Sequence, residues 1–250
     1  MEMKTVLQKH LTPWLALLVM GSLAGGACAV EAWTPESLTA AMKTLPAGDA
    51  TRGADVHQKS GCGGCHGPQG VAMAGDFPHV AGQPVAVTEK FMLDYKTGRR
   101  NVGPQAMMMS MMGGNVNEQQ IADLAAYYAT LPLGKGAVAG AKLSTPKVDE
   151  GAILKLIKKG DATRGITPCA ACHGSTPTGN PDGQVPVIHG QNPAYFKLTM
   201  QAYRKGDRSS DLLKEMRVFA QKLTDDEIEG LAYFYATHPG DEGVKTAPKP

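Results

Sequence analysis

The chain has 250 residues, with 25 Lys and Arg against 23 Asp and Glu, so its formal net charge is +2 at pH 7. This near balance of charge, together with the lack of a basic patch, argues against nucleic acid as a partner. Five cysteines and seven histidines are present. Their spacing indicates the chemistry of the protein far better than the overall composition does.

The first 29 residues have the pattern of an export signal. A positively charged start precedes an apolar run over residues 11–24, and Ala27-Cys28-Ala29 follows as a cleavage site. The apolar run is shorter than the roughly 20 residues that span a bilayer. We therefore expect cleavage near Ala29 and a periplasmic mature protein. The alternative is a lipoprotein anchored through Cys28, but Gly25 stands where a lipobox requires an aliphatic residue.

An extension over residues 30–45 separates the signal from the first predicted domain. Thr34-Pro35 predicts the start of a short amphipathic helix that carries Leu38, Met42 and Leu45 on one face. The sequence does not indicate what this apolar face packs against.

The pattern C-x-x-C-H occurs twice, at Cys62–His66 and at Cys169–His173, and it is the attachment site of c-type haem. The two thiols of each copy form thioethers with the vinyl groups of one porphyrin, and the adjacent imidazole lies beneath the iron as its proximal ligand. Zinc sites usually separate the histidine from the cysteine pair, and redox dithiols need no following histidine. Loss of Cys28 with the signal leaves four thiols, all of them in the two motifs. The sequence thus predicts two covalently bound haem c groups, held by Cys62, Cys65, His66, Cys169, Cys172 and His173.

The second half of the chain repeats the first. The haem motifs lie 107 positions apart, and Gly82-Gln83 recurs 108 positions later as Gly190-Gln191. The hexapeptide at residues 48–53 recurs at residues 160–165 with an offset of 112, so the first copy has five additional residues before its haem motif. The repeat predicts two tandem domains at residues 46–132 and 151–239, a Gly-, Ala- and Pro-rich linker at 133–150, and a tail at 240–250.

The sequence pattern of each domain predicts mostly helices, and therefore an all-α fold. Capping boxes at Asn117–Gln120 and Thr224–Glu227 begin the last helix of each domain, and Pro84 and Pro193 suit the first turn of an earlier helix. No alternating pattern indicates a sheet. The four other histidines of the mature chain are predicted to be structural or surface groups: His57, His79, His189 and His238.

One axial position on each iron remains after the proximal histidine, and the ligand there decides between electron transfer and chemistry at an open site. Met216 is the candidate in the second domain, and Met109 takes the equivalent place in the first, 43 residues after the motif histidine in both copies. Four further methionines surround Met109: Met107, Met108, Met111 and Met112. We expect these four to fill the core or a loop, with a Cu(I) site as the sharper alternative. The duplication predicts His66 with Met109, and His173 with Met216, as the iron ligands.

These residues resemble the dihaem cytochrome c4 family, in which two class I cytochrome c domains stand in tandem. The resemblance rests on C-x-x-C-H-G, on a Pro-x-x-x-Gly-Gln step, on an aromatic-x-x-Gly-x-Arg turn and on the ligand methionine. The step lies at residues 78–83 and 186–191, and the turn at 95–100 and 203–208. The likeness covers about residues 46–238. It implies two domains, each wrapped around one haem, in a periplasmic carrier that passes electrons from a quinol-oxidising complex to a terminal oxidase or reductase.

The leading interpretation is therefore a transfer protein rather than an enzyme. We expect redox proteins as partners, peripheral membrane association as an option, and no small-molecule substrate. A second interpretation is the cytochrome subunit of a larger dehydrogenase, for example one that oxidises sulfide or thiosulfate. A dihaem peroxidase is the enzymatic alternative, but it needs one iron with an exchangeable site, and two equivalent methionines argue against that.

Overall fold

A computed structural model describes residues 30–136, 145–174 and 184–238. The predicted signal segment, the tail and the middle of the linker lie outside these ranges. Within them, all regular structure is helical apart from isolated bridge residues, such as the pair Asp161 and Ile166. The expected all-α fold is confirmed. No helix in the described part of the chain is long and apolar enough to cross a membrane.

The helices follow the duplication in their order. The first half contains α1 (Pro35–Lys43), α2 (Ala50–Lys59), α3 (Gly63–His66), α4 (Val85–Lys96), α5 (Pro104–Gly114) and α6 (Glu118–Thr130). The second half contains α7 (Glu150–Lys159), α8 (Cys169–His173), α9 (Pro193–Lys205), a 3-10 turn (Leu212–Lys214), α10 (Glu215–Ala220) and α11 (Asp225–Thr237).

Helix α6 organises the core of the first half. Its predicted capping box is present: the Asn117 side chain accepts the Gln120 backbone N–H, and the Gln120 side chain accepts the Asn117 backbone N–H, both at 2.9 Å. The helix packs on α2 and α4 and buries Ile121, Leu124 and Tyr128. Full burial of an aliphatic side chain contributes about 1.5–3 kcal/mol. The capping box that begins α11 is present as well.

The repeated hexapeptide adopts two different conformations. Residues 48–53 lead into α2, and the carboxylate of its N-cap, Asp49, accepts a backbone N–H three residues on at 2.8 Å. Residues 160–165 instead follow α7 as a turn, although the Asp161 carboxylate still accepts the corresponding N–H at 3.2 Å. Pro168 explains the difference, because a proline has no N–H for a helix and disfavours helical backbone in the residue before it. The first copy uses its five additional residues to extend α2.

The arginine of the hexapeptide nevertheless pairs with a carboxylate of the last helix in both halves, although the two carboxylates stand at different positions of the repeat. Arg52 donates two hydrogen bonds to the Asp123 carboxylate on α6, at 2.9 and 2.7 Å. Arg164 donates two to the Glu227 carboxylate on α11, also at 2.9 and 2.7 Å. These bidentate bonds hold the pKa of both carboxyl groups below its ordinary value. Each half thus attaches its hexapeptide to its last helix.

The N-terminal extension packs on α4 of the first half. Helix α1 begins with a capping box in which the Thr34 hydroxyl accepts the Ser37 N–H at 3.1 Å, and it buries Leu38. The predicted helix is present over Pro35–Lys43, but it ends before Leu45, which the prediction had included. Helix α4 is the packing partner that the sequence did not reveal. Ahead of this helix, the Trp33 indole N–H donates to the Asp94 carboxylate on α4 at 2.7 Å.

Asp94 also belongs to a buried ion pair. Lys90 Nζ lies 2.6 Å from Asp94 Oδ2, and the two side chains are 7% and 0% exposed. The same ammonium donates to the backbone carbonyl of Ser210 in the second half at 2.5 Å. A continuous series of polar contacts therefore runs from Trp33 in the extension, through α4, to the second half.

Two glutamines join the halves by reciprocal hydrogen bonds. Gln83 accepts the backbone N–H of Val187 at 3.1 Å and donates to its carbonyl at 2.9 Å. Gln191 accepts the backbone N–H of His79 at 2.8 Å and donates to its carbonyl at 2.9 Å. Gln83 and Gln191 are 108 positions apart, as are His79 and Val187. The two contacts therefore join equivalent positions of the repeat: each half donates its glutamine to the backbone of the other half.

Candidate haem sites

Each C-x-x-C-H motif forms one turn of helix, in α3 and in α8. Residues three apart on a helical turn lie side by side, which suits attachment of both thiols to one porphyrin. None of these four thiols forms a disulfide within the described ranges. The glycine after each motif has a positive φ, +75° at Gly67 and +78° at Gly174. A Cβ on Gly67 would lie 1.9 Å from the Val71 carbonyl oxygen, so only glycine allows this exit from the motif.

Both motif histidines are buried and oriented by a backbone carbonyl. The Nδ1–H of His66 donates to the Pro78 carbonyl, and that of His173 to the Pro186 carbonyl, each at 2.9 Å. This bond fixes the tautomer and leaves Nε2 with a lone pair for a metal. Burial lowers the pKa of both imidazoles, so they stay in the neutral form that ligates iron.

The two candidate methionines lie on helices. Met109 is half-buried in the middle of α5, and Met216 lies on α10, where it packs against the core of the second half. The four neighbours of Met109 are between 39% and 74% exposed: Met107, Met108, Met111 and Met112. The expectation that they fill the core or a loop is wrong, because they occupy the exposed side of a helix.

Sequence reasoning did not place Arg100 and Arg208 in the site, although they end the two repeated aromatic-x-x-Gly-x-Arg turns. They are 7% and 4% exposed, and their guanidinium carbons lie 4.7 Å and 4.5 Å from the ring centroids of Tyr95 and Tyr203. Neither pairs with a carboxylate in the described ranges. Burial raises the pKa of Tyr195 beside them, but the two arginine charges outweigh it and lower that pKa to about 7.

The two arginine charges, unpaired within the described part of the chain, show whether these residues suit a negatively charged cofactor such as haem. A buried cation without a counter-ion is costly, and Arg208 Nε has no hydrogen-bond partner among the described residues. The two propionates of a bound haem would supply the missing negative charge. Together with the paired thiols and the oriented imidazoles, the buried arginines make a donor set that fits haem c in each half.

The other histidines have structural contacts, as expected. His57 is 3% exposed; it accepts the Tyr128 hydroxyl at 2.9 Å and donates to the Gly67 carbonyl at 3.0 Å. It has no equivalent in the second half, where the Tyr235 hydroxyl lacks a hydrogen-bond partner within the described segments. The remaining three make backbone contacts: His79, His189 and His238.

Comparison with known proteins agrees with this geometry. The family model described as Cytochrome c matches residues 50–132. Cytochrome c4 of Stutzerimonas stutzeri is 32% identical over 194 residues, which are 75% of this chain and 88% of that protein. A thiosulfate dehydrogenase electron acceptor of Thiomonas intermedia (strain K12) is 31% identical over 184 residues, or 73% of this chain and 80% of that protein. The crystal structure of reduced recombinant cytochrome c4 from Pseudomonas stutzeri aligns with a TM-score of 0.62 and 28% identity, over 78% of this chain and 99% of that one.

An all-helical fold with two C-x-x-C-H turns, each with an oriented histidine, defines a dihaem c-type cytochrome. The cofactors are two covalently bound haem c groups, and the protein transfers electrons with redox protein partners. Identity above 30% over most of both chains shows the narrower group. The chain belongs to the cytochrome c4 family.

Proposed function

We propose that His66 and Met109 ligate one iron and that His173 and Met216 ligate the other. The observation that carries this proposal is the agreement between two copies of the site. Each histidine presents Nε2 in the neutral tautomer, and each methionine follows its histidine by 43 residues. Met109 also differs from its neighbours in exposure, since it alone among the five methionines of α5 is half-buried.

From these ligands we infer a periplasmic electron carrier that converts no small-molecule substrate. When bound, haem c supplies a one-electron Fe(II)/Fe(III) couple, and histidine with methionine as axial ligands raises its potential. The chain's own residues orient the imidazoles through backbone carbonyls, exclude water by burial, and provide two buried arginines that would pair with the negative groups of the cofactor. None of these tasks requires a vacant iron position or a catalytic acid.

The proposed partners are a quinol-oxidising complex as donor and a terminal oxidase or reductase of the membrane as acceptor. Stopped-flow mixing of the oxidised protein with the reduced donor complex, and of the reduced protein with the oxidase, tests both steps. Electron exchange that is fast compared with respiratory turnover supports the proposal. Failure of both reactions would overturn this placement.

A second donor is favoured by the likeness to a thiosulfate dehydrogenase electron acceptor. In this alternative a catalytic dehydrogenase subunit reduces the protein. Thiosulfate with that class of enzyme should then reduce the cytochrome faster than the quinol-oxidising complex does. Co-purification with a catalytic subunit would favour this role as well.

The ligand assignment has its own test. Ferric haem with a methionine ligand has a weak near-infrared sulfur-to-iron band, so Met216→Ala should remove about half of the band intensity given two equivalent sites. Met109→Ala should remove the other half. An intact band in Met109→Ala would assign the ligand to a neighbouring methionine. Rapid carbon monoxide binding and peroxide turnover by the unaltered protein would move the protein to the peroxidase class.

A further inference from the structure

The interface glutamines and the haem histidines share the same two peptide groups. The carbonyl of Pro78 accepts the Nδ1–H of His66 at 2.9 Å. The N–H of that peptide group belongs to His79, and it donates to Gln191 Oε1 at 2.8 Å. One peptide group thus connects a histidine of the first half to a glutamine of the second.

The second half shows the same arrangement in the opposite direction. The carbonyl of Pro186 accepts the Nδ1–H of His173 at 2.9 Å. The N–H of that peptide group belongs to Val187, and it donates to Gln83 Oε1 at 3.1 Å. Both ends are shielded from water, since each histidine is less than a tenth exposed.

We propose that Gln83 and Gln191 are positioning residues that tune the haem of the opposite half. A peptide group whose N–H is hydrogen-bonded becomes more polar, so its carbonyl accepts a second hydrogen bond more strongly. A stronger bond to Nδ1–H makes the imidazole a more basic ligand, and a more basic ligand stabilises ferric iron. Gln191 therefore lowers the potential of the haem at Cys62 and Cys65, and Gln83 that of the haem at Cys169 and Cys172.

This inference rests on the proposed ligation by His66 and His173. The experiment uses Gln191→Met and Gln83→Met in the dihaem protein, because methionine keeps the approximate length of glutamine without the amide. Redox titration is followed through the haem methyl resonances, each assigned to one half. Gln191→Met should raise the potential of the first haem and leave the second unchanged, and Gln83→Met should do the reverse.

The crossed pattern separates this role from simple loosening of the interface. Each variant is the matched control of the other, and loss of packing would shift both haems together or neither. In the reduced protein, the Nδ1–H proton resonance of the opposite histidine should also move upfield, which reports the weakened bond without reference to potential. Equal shifts of both haems, or an unchanged Nδ1–H resonance, would overturn the proposal.

Failure of the assignment of His66 and His173 as ligands would give a different result from failure of the proposed role of the glutamines. In that case the Nδ1–H resonance of the unaltered protein would lack the large ring-current shift of a haem ligand. If a methionine variant does not assemble, Gln191→Glu keeps the acceptor oxygen. Because a carboxylate accepts the peptide N–H at least as strongly as an amide does, the Nδ1–H resonance of His66 should stay in place or move downfield. An upfield shift in this variant would contradict the proposal.

Discussion

Replacing Lys90 by methionine should destabilise the protein far more than the loss of an ordinary surface lysine. The ammonium is paired with the fully buried Asp94 carboxylate at 2.6 Å and also bonds to the Ser210 carbonyl. Without Lys90, the Trp33 indole is the one donor to the Asp94 carboxylate that remains among the described residues. Removal of one partner of a buried ion pair costs about 3–5 kcal/mol, because the remaining charge stays buried. With a urea m-value of about 2 kcal/mol/M, the unfolding midpoint should fall by roughly 2 M.

The chain provides a matched control. Asp55 and Lys59 on α2 form the same kind of pair four residues apart, at 2.8 Å, but their side chains are 54% and 74% exposed. Lys59→Met should therefore change the free energy of unfolding by less than about 0.5 kcal/mol. The double variant Lys90→Met/Asp94→Leu should recover most of the loss, since it removes both charges of the pair and leaves neither one buried alone. Urea unfolding followed by far-UV circular dichroism measures all three, and equal losses in the two lysine variants would refute the reasoning.

One further prediction compares equivalent tyrosines in the two halves, and another concerns the dependence of stability on pH. Tyr128→Phe should lower the free energy of unfolding by about 1 kcal/mol because it removes the hydrogen bond to His57. Tyr235→Phe should leave the free energy of unfolding unchanged or raise it. Thermal unfolding measures both variants, and equal losses would contradict the difference in hydrogen bonding. Arg164 holds the pKa of Glu227 below its ordinary value of 4.5, so this stabilisation is complete above that pH and is lost as pH falls through the lowered pKa. Arg164→Met should flatten the profile of stability against pH below about pH 5, and an unchanged slope in acid unfolding titrations would show that the pair is not responsible.

Local signals in the sequence predicted the parts of the structure that depend on neighbouring residues. The capping box at Asn117 and the short helix that follows Thr34 formed where expected, because a cap is satisfied within one turn. The haem motifs could be identified for the same reason, since thiols and imidazole must be adjacent to reach one porphyrin.

Features set by distant contacts could not be read in this way. Even the nearby Pro168, three residues after the second hexapeptide, gives two identical hexapeptides different conformations, because it prevents a helix there. The partner of the N-terminal helix depends on Asp94, about 60 residues beyond Trp33. The buried state of Arg100 and Arg208 depends on how the halves meet, although their repetition at one offset was a signal that both positions serve the same task.

The reciprocal contact of Gln83 and Gln191 has a consequence for how the two halves hold together. A surface patch that binds its own copy in return is the isologous contact of a symmetric homodimer, so the chain has the interface of a homodimer whose two subunits are fused. Within one chain, docking occurs at an effective concentration of the order of millimolar, and a modest interface suffices. Because the two halves are encoded in one chain, each half can also acquire residues that differ from those of the other. Lys90 and Asp94 correspond to Leu198 and Ala202 in the second half, an asymmetry that a homodimer of identical chains could not acquire.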